Sequence, residues 1–356
     1  MIESTELLRQ LSQASGVTGY EDEVRQLVQE AWEPLADEIR TDALGNLIAV
    51  KRGQGDGPRP TIMLAAHMDE IGLMVSAIDG NFVRFTTVGG VDLRTIVGQE
   101  VTVHGTDPLP GIVASRPPHI LTAQERSQVI PLEKLFIDVG LPEETLQQRV
   151  HVGDLITMRR EMISLAKDFV AGKALDDRAG VVSLTVCLDM LQGMRHTWDV
   201  YAVATTQEEI GLRGATVSAY GLAPDIGIAV DVGFGKQQGV SDSKIIEMDA
   251  GPAVAMGPNV HPKMHERLVA TGKQYELKYQ TEVIAGRSGT DGWAMQVSRE
   301  GIPTAVLSIP LRYMHTTVET ICTRDIERTG RLMALFIAGL DEAFLGEMGI
   351  EKGAGA

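Results

Sequence analysis

The sequence has little cysteine, few aromatic residues and no long apolar run, and each shortage excludes a class of protein. Its 356 residues include two cysteines, Cys187 and Cys322, which lie among apolar neighbours and are expected to be small core residues rather than a disulfide. Aromatic residues are 4% of the chain, which leaves few platforms for stacking sugars. No stretch reaches the ~18 apolar residues of a membrane span, and the amino terminus has no apolar signal core. We therefore expect a cytoplasmic protein without a membrane anchor.

Basic residues are also scarce relative to acidic ones. The chain has 32 Lys and Arg against 48 Asp and Glu, a formal net charge of −16. Tracking of nucleic-acid phosphates needs dense Lys and Arg, so a nucleic-acid partner is not expected. Apolar residues are 44% and charged residues 22%, an ordinary globular composition that argues against disorder.

The apolar pattern predicts an α/β fold with a mixed sheet flanked by helices. Helical periodicity occurs at 4–14, 21–32, 177–192 and 323–345. Ser4, Thr18 and Thr323 are the expected helix starts. Strands are predicted at 46–51, 61–69, 200–209, 225–234 and 304–311. The run at 61–69 is almost continuously apolar, as expected for a strand covered on both faces.

A different pattern occupies residues 72–160, where short strand-like runs are broken by Gly and Pro, with one short helical pattern at 142–149. Closely spaced strands with turns predict a small β-barrel or sandwich. We therefore expect a discontinuous α/β domain formed by 1–70 and 164–350, interrupted by a β-rich insertion at 71–163. The Gly- and Ala-rich tail at 351–356 is expected to be flexible.

Side chains that can bind metal ions or transfer protons lie at or just after the ends of several predicted strands. They are His67, Asp69, Glu208, Glu209, Asp231 and His315. Ligands of open α/β sheets bind beyond the carboxyl ends of the strands, so these separated residues are expected to meet at one edge. Imidazole and carboxylate donors without thiolate favour catalytic Zn²⁺, Co²⁺ or Mn²⁺. Bound divalent ions would also relieve the repulsion between gathered carboxylates.

Each of these candidate residues also has an interpretation that requires no active site. His67 and Asp69 share one side of an extended strand, so the carboxylate can orient a metal-binding imidazole, but a surface His beside an Asp is common. Glu208 and Glu209 point to different sides, which suits one metal ligand and one base, or else a solvated loop. Asp176 can be a ligand or part of an ordinary acidic helix start.

Six motifs, taken in order, make the resemblance specific. They are AHMDEIG (66–72), GKALDDRAG (172–180), QEEIGLRGA (207–215), DVGFG (231–235), SGTDGW (288–293) and YMHTTVE (313–319). Read together, the chain resembles the M42 metallopeptidases, the tetrahedral or glutamyl aminopeptidases, almost from end to end. Gly292 stands where many members have Ala, which affects the expected shape of the pocket rather than its chemistry.

The resemblance implies two divalent metal ions per subunit, Zn or Co. His67 and Asp231 would bind one ion, Glu209 and His315 would bind the other, and Asp176 would bridge them. Asp176 is preferred over the adjacent carboxylate because members of the family can carry Asn at the second position of the pair. Whether Asp176 or Asp177 bridges is left open.

The resemblance also implies the remaining roles. Glu208 would be the general base, and Asp69 would hold the imidazole of His67. The substrate would lie close to a loop formed by Gly289, Thr290 and Asp291. Its substrates would be short peptides with a free amino terminus, cleaved from that end.

Assembly and alternative activities complete the expectations. The insertion would be a dimerisation domain, and the dimers would assemble into a dodecameric tetrahedral shell. An N-acyl amino acid deacylase, a carboxypeptidase or another hydrolase on the same metal pair is the main alternative. A glycanase is disfavoured because glycosidases use two carboxylates and need no metal pair. A non-enzymatic metal-binding scaffold would need no base, so Glu208 would be dispensable there.

Overall fold

The computed structural model describes residues 3–241 and 244–349, and the predicted flexible tail at 351–356 lies outside the described residues. Its main layer is an 11-stranded mixed sheet. The strands of this sheet are β1 (Glu38–Thr41), β2 (Leu47–Lys51), β3 (Thr61–His67), β10 (Ile163–Ser164), β11 (Phe169–Gly172), β12 (Asp199–Thr205), β13 (Ile226–Phe234), β14 (Ala253–Met256), β15 (Gln280–Val283), β16 (Thr304–Arg312) and β17 (Glu319–Cys322).

The central strands of the sheet are parallel. β3 lies between β12 and β13, and β13 also pairs with β16, all in parallel register. All but the first of the seven residues of β3 are buried, as its apolar run predicted. Antiparallel strands extend the sheet on both sides of this centre. The carboxyl ends of four strands therefore meet at one edge, which is where ligands bind in open α/β sheets.

Helices cover the sheet. They are α1 (Ser4–Gln13), α2 (Asp22–Trp32), α6 (Leu175–Gln192), α7 (Arg213–Leu222), α8 (Pro262–Gln274), α9 (Asp291–Gln296), α10 (Thr323–Ala338) and α11 (Ala343–Glu347). α6 is buried almost throughout, between α10 and the sheet. The buried residues of α2 recur every four positions, at Val24, Val28 and Trp32, which is one helical face. None of the described helices has the length and apolar character needed to cross a bilayer.

A closed six-stranded barrel is inserted between β3 and β10. Its strands are β4 (Gly72–Asp79), β5 (Phe82–Val88), β6 (Glu100–His104), β7 (Pro108–Ala114), β8 (Phe136–Asp138) and β9 (Leu155–Met158), with short helices α3 (Leu93–Ile96), α4 (Ala123–Arg126) and α5 (Glu143–Arg149) between them. The barrel has an apolar core of its own, in which Leu73, Val101, Val113 and Ile137 are inaccessible to solvent. The mixed sheet with flanking helices and the barrel confirm the predicted fold class.

One predicted helix start, Thr18, is wrong, whereas α1 does begin at Ser4. The helix predicted at 21–32 does not start from Thr18, because α2 begins at Asp22 and the Thr18 hydroxyl is committed elsewhere. Ser4 is the first residue of α1 rather than its cap, and its hydroxyl donates to the Glu327 carboxylate 2.7 Å away. The hydroxyls of these two residues form hydrogen bonds to elements that are distant in the sequence, and so they do not cap a helix.

The final helix is shorter than predicted. α10 ends at Ala338, the chain turns at Gly339, and a separate short helix follows, so the single helix expected over 323–345 is wrong. Thr323 is the first helical residue, and its hydroxyl donates to the Asp168 carbonyl instead of capping the helix. The two cysteines are buried and free.

Candidate active site

A cavity of about 390 Å³ opens at the carboxyl edge of the parallel strands. His67 is the last residue of β3, Asp231 lies in β13, and His315 follows β16. The Glu208–Glu209 pair follows β12. These five side chains and Asp176 all line the cavity. The structure therefore brings together all six residues that the sequence predicted to be ligands or the base.

Asp176 lies between the two histidines. One of its carboxylate oxygens is 3.1 Å from His67 Nε2, and the other is 3.4 Å from His315 Nε2. His315 Nε2 is also 3.4 Å from a Glu209 oxygen. Asp176 can therefore face both halves of the cluster at once, which is the geometry that a bridging ligand needs.

Asp177 is inaccessible to solvent and does not line the cavity. One of its oxygens accepts from the Gly180 amide at 3.0 Å, and the other is buried without a hydrogen-bond partner. Donor atoms of His67, Asp177 and Asp231 lie within 4.8 Å of one another, and so do donor atoms of His67, Asp176 and Glu209. The first group is not the ligand set expected from the sequence, because it includes Asp177.

The carboxylates of the cavity are crowded and desolvated. Burial, together with the nearby carboxylates of Asp231 and Asp291, raises the pKa of Glu208 to about 10. Burial and the proximity of Asp176 also raise the pKa of Asp231 well above its usual range. Hydrogen bonding to Asp176 raises the pKa of His315 to about 11. The local field is therefore strongly negative and favours a cation.

This donor set fits divalent metal ions. Two imidazoles and several carboxylates provide nitrogen and oxygen ligands of the kind that zinc and cobalt accept in catalytic sites. The unpartnered buried oxygen of Asp177 is a further acceptor that a cation would satisfy. The described groups therefore fit the metals that the resemblance implies.

Asp69 does not line the cavity but lies behind it, without solvent access. Its carboxylate accepts from the backbone amides of Glu208 at 3.0 Å and Glu209 at 3.2 Å, and from the Thr18 hydroxyl at 2.7 Å. It lies 3.4 Å from His67 Nδ1, while its backbone oxygen is 3.2 Å from the same nitrogen. Asp69 thus contacts the imidazole expected from the sequence and also anchors the segment that follows β12.

The loop before α9 is divided between the cavity and the core. Gly289 and Thr290 line the cavity, as expected for residues close to a substrate. Asp291 does not line it, because its carboxylate is 2% exposed and accepts from the Thr205 hydroxyl at 2.5 Å. The Asp291 side chain therefore contacts β12, and its contact with substrate stays a prediction.

Glu319 is a site residue that sequence reasoning missed, although it ends one of the six motifs. Its buried carboxylate accepts from the backbone amides of Leu175 at 2.8 Å, Asp176 at 3.1 Å and His315 at 2.8 Å. Burial and the nearby Asp176 raise its pKa to about 8. Its position at the end of the YMHTTVE motif was the available signal. Glu319 ties the two candidate ligands to each other.

A second buried cluster supports the site from behind. Glu70 lies 2.6 Å from Lys173 Nζ and 3.3 Å from Arg178 Nη2. Arg178 is inaccessible to solvent and also donates to the Met68 carbonyl at 3.1 Å. The cluster joins the segment that follows His67 at the end of β3 to the start of α6, which carries Asp176.

The backbone is left-handed at three non-glycine positions beside the candidate ligands. Ala174 (φ 52°), Gln207 (φ 55°) and His315 (φ 61°) occupy this sparsely populated region. Such conformations persist where the surrounding structure fixes them, and they cluster at functional sites. Glu319 provides that constraint beside Ala174 and at His315 by accepting from the amides of Leu175 and His315, and Glu21 accepts from the Gln207 amide at 3.2 Å.

The chain is similar to known proteins along most of its length. The profile of the family described as M42 glutamyl aminopeptidase matches residues 45–332. Lysyl aminopeptidase from Pyrococcus furiosus is 37% identical over 340 residues, covering 92% of this chain and 94% of that protein.

Solved structures agree as well. Aminopeptidase APDkam598 from Desulfurococcus kamchatkensis has a TM-score of 0.90 and 36% identity, covering 99% of this chain and 98% of that one. Pyrococcus horikoshii TET1 peptidase, which can assemble into a tetrahedron or a large octahedral shell, has a TM-score of 0.82 and 28% identity, covering 95% of this chain and 100% of that one. The chain belongs to the M42 peptidase family and is a hydrolase of the aminopeptidase class.

Proposed function

We propose that the protein is a dinuclear metal-dependent aminopeptidase that removes residues from the free amino terminus of short peptides. The observation that carries this proposal is the convergence of two imidazoles and several carboxylates in one cavity, with Asp176 between His67 and His315. Membership of the M42 family supports the reaction class.

His67 and Asp231 would hold one divalent ion, and Glu209 and His315 would hold the other, with Asp176 between them. Support for this bridge comes from the two carboxylate oxygens of Asp176, each of which faces a different histidine. The alternative bridge, Asp177, has an oxygen close to donor atoms of His67 and Asp231, whereas Asp176 lies close to Glu209 and His315 as well as His67. When bound, zinc or cobalt ions would polarise the scissile carbonyl and lower the pKa of water.

Glu208 would act as the general base. Its carboxylate lines the cavity, and its backbone amide is tied to Asp69. It would accept a proton from the attacking water and return that proton to the departing amine. Asp69 would position both Glu208 and His67 without touching substrate. Gly289 and Thr290 line the cavity and are our candidates for contact with the peptide backbone.

We also propose that copies of the chain assemble through the barrel. Residues 71–163 would be a dimerisation domain inserted into a catalytic domain formed by 1–70 and 164–350, and dimers would form a dodecamer. Support comes from the TET1 peptidase and from the barrel's separate apolar core. Light scattering of the purified protein should give the mass of a dodecamer, and a monomer would contradict the assembly.

The activity is tested with one series of short peptides, each prepared with a free and with an acetylated amino terminus. With Zn²⁺ or Co²⁺ present, the free peptides should lose residues one at a time, and a chelator should stop the reaction. Equal or faster cleavage of the acetylated peptides would indicate a deacylase or endopeptidase and overturn the proposal.

A further inference from the structure

The cavity extends beyond the candidate metal ligands to a further carboxylate, Glu282 on β15. In the parallel pairing of β13 with β16, Asp231 is the register partner of Ser308. The Ser308 hydroxyl in turn donates to the Glu282 carboxylate at 2.5 Å, and both residues line the cavity. Glu282 lies on β15, which β14 and β16 separate from β13 in the sheet, but the Ser308 side chain links it to the register partner of a candidate metal ligand.

Small residues lie between Asp231 and Glu282. Gly233 follows Asp231 by two positions and so lies on the same side of β13. A Cβ atom added to Gly233 would come within 2.9 Å of the Ser308 Cβ. It would come equally close to the Ile246 side chain, so glycine is needed at this position for Ser308 and Ile246 to pack against β13. Phe234 and Ile284 also line the cavity. Glu282 therefore shares the cavity with two apolar side chains.

Glu282 has no cationic partner within the part of the chain that the structure describes. No Lys, Arg or His nitrogen there lies within 4 Å of its carboxylate, whose recorded partner is the Ser308 hydroxyl. Burial raises the pKa of Glu282, while that hydrogen bond lowers it. A half-buried carboxylate with a single neutral donor is better satisfied by a cation, because charge-assisted hydrogen bonds are the stronger ones.

Arg287 also lines the cavity and could favour the opposite charge. Its side chain is exposed, and its guanidinium packs over the Trp293 ring at 5.4 Å from the centroid. Glu282 is more buried and is linked through Ser308 to the strand that pairs with β13. Charges interact more strongly where water is excluded. The Glu282 carboxylate, rather than Arg287, should therefore determine which charge the cavity prefers in a bound side chain.

We propose that Glu282, oriented by Ser308, binds the cationic side chain of the first substrate residue, so that peptides beginning with Lys or Arg are preferred. Phe234 and Ile284 would contact the methylene groups of that side chain, which commonly pack on apolar surfaces. This inference rests on the proposed aminopeptidase function, because the first residue must lie beside the metal ligands.

The test compares kcat/KM of the Co²⁺-loaded protein on four otherwise identical peptides beginning with Lys, Arg, Leu or Glu. We expect Lys and Arg to be cleaved at least about tenfold more efficiently than Leu, and Glu to be the poorest. In Glu282→Gln, the ratio of Lys to Leu should fall by about tenfold or more, mainly through KM. That range corresponds to loss of one charge-assisted contact, since 1.4 kcal/mol is tenfold.

Two further variants separate recognition from general damage. Ser308→Ala keeps the carboxylate but removes its orienting donor, so the Lys-to-Leu ratio should fall less than in Glu282→Gln. Glu266→Gln is the matched control, because Glu266 is an exposed residue of α8, and it should keep the wild-type Lys-to-Leu ratio. An unchanged ratio in Glu282→Gln, or a wild-type preference for Glu, would overturn the inference. Failure to cleave any of the four peptides would instead overturn the proposed function.

Discussion

The Thr18 hydroxyl donates a hydrogen bond to the Asp69 carboxylate at 2.7 Å, and both residues are buried. Asp69 also accepts from the backbone amides of Glu208 and Glu209. A residue in the loop between the first two helices thus helps to hold the segment that carries the proposed base.

Thr18→Val keeps the shape of this side chain and removes its hydroxyl. We expect the free energy of unfolding to fall by about 1.5–3 kcal/mol, the usual range for a buried hydrogen bond to a charged group. We also expect kcat to fall several-fold at unchanged metal content, because Asp69 would hold Glu208 less firmly. Denaturant unfolding and steady-state kinetics measure these effects. Thr18→Ser, which keeps the hydroxyl, is the control, and wild-type behaviour of Thr18→Val would contradict this role of Thr18.

Glu208→Gln tests the assignment of the base. The amide cannot accept the proton from water, so kcat should fall by about 10²- to 10⁴-fold, the typical contribution of a general base. Metal content, measured by elemental analysis, should remain at the wild-type level because Glu208 is not a proposed ligand. Glu209→Gln is the matched comparison, and it should lower metal content as well as activity. Retained turnover in Glu208→Gln would rule out this base.

The buried cluster of Glu70, Lys173 and Arg178 should contribute strongly to stability. Lys173→Met leaves Glu70 with less compensation for its buried charge, and breaking a buried pair in this way costs about 3–5 kcal/mol. The double variant Glu70→Gln/Lys173→Met should be less destabilised than the sum of the two single variants. Urea unfolding measures all three proteins.

The matched control is Lys263→Met. Lys263 forms a 2.8 Å pair with Glu266 on the protein surface, where ion pairs contribute ~1 kcal/mol or less. If Lys173→Met is no more destabilising than Lys263→Met, the buried cluster does not have the stabilising role that its geometry indicates.

Asp199 should contribute to the stability of the protein at neutral pH, and this contribution should be lost in acid. Burial alone would raise its pKa, but hydrogen bonds from the Arg59 side chain at 2.6 Å and the Gly53 amide at 2.7 Å prevail and lower it. A lowered folded-state pKa means that the stabilisation is complete above the unfolded value of ~3.9 and is lost as pH falls through the folded value.

Asp199→Asn should therefore lower the free energy of unfolding by about 1–2 kcal/mol at pH 7, and by progressively less below pH ~4. Urea unfolding of both proteins at several pH values measures the difference. Asp107→Asn removes an exposed carboxylate that lies 3.5 Å from Arg149, and it should have little effect at any pH. A difference between wild type and Asp199→Asn that does not shrink in acid would contradict this account.

The sequence was informative where the local pattern and the tertiary structure agree. The apolar run of β3 predicted a doubly covered strand, and the position of His67 at its end predicted the edge of the sheet at which the site forms. It was less informative where polar side chains make long-range contacts. Thr18 resembles a helix start locally, but its hydroxyl donates to Asp69, and the Ser4 hydroxyl donates to Glu327 instead of capping α1.

The region between β13 and β16 was the least predictable. α8 is largely polar, and Met264 and Leu268 are the large apolar side chains that it buries, so the sequence offers only two strong apolar positions there. β14 and β15 have four residues each, which is too short for a clear alternation. Glu282 therefore carried no sequence signal, because its pairing with Ser308 exists only after these strands dock.

The order of the strands along the chain has a consequence for synthesis on the ribosome. β3 is apolar along almost its whole length, but its two partners, β12 and β13, emerge only after the barrel and α6 have been made. Until then its backbone groups and side chains have no native cover, a situation that favours aggregation. Chaperones should accordingly bind a nascent chain whose synthesis is halted within α6. They should dissociate from the chain once β13 has emerged.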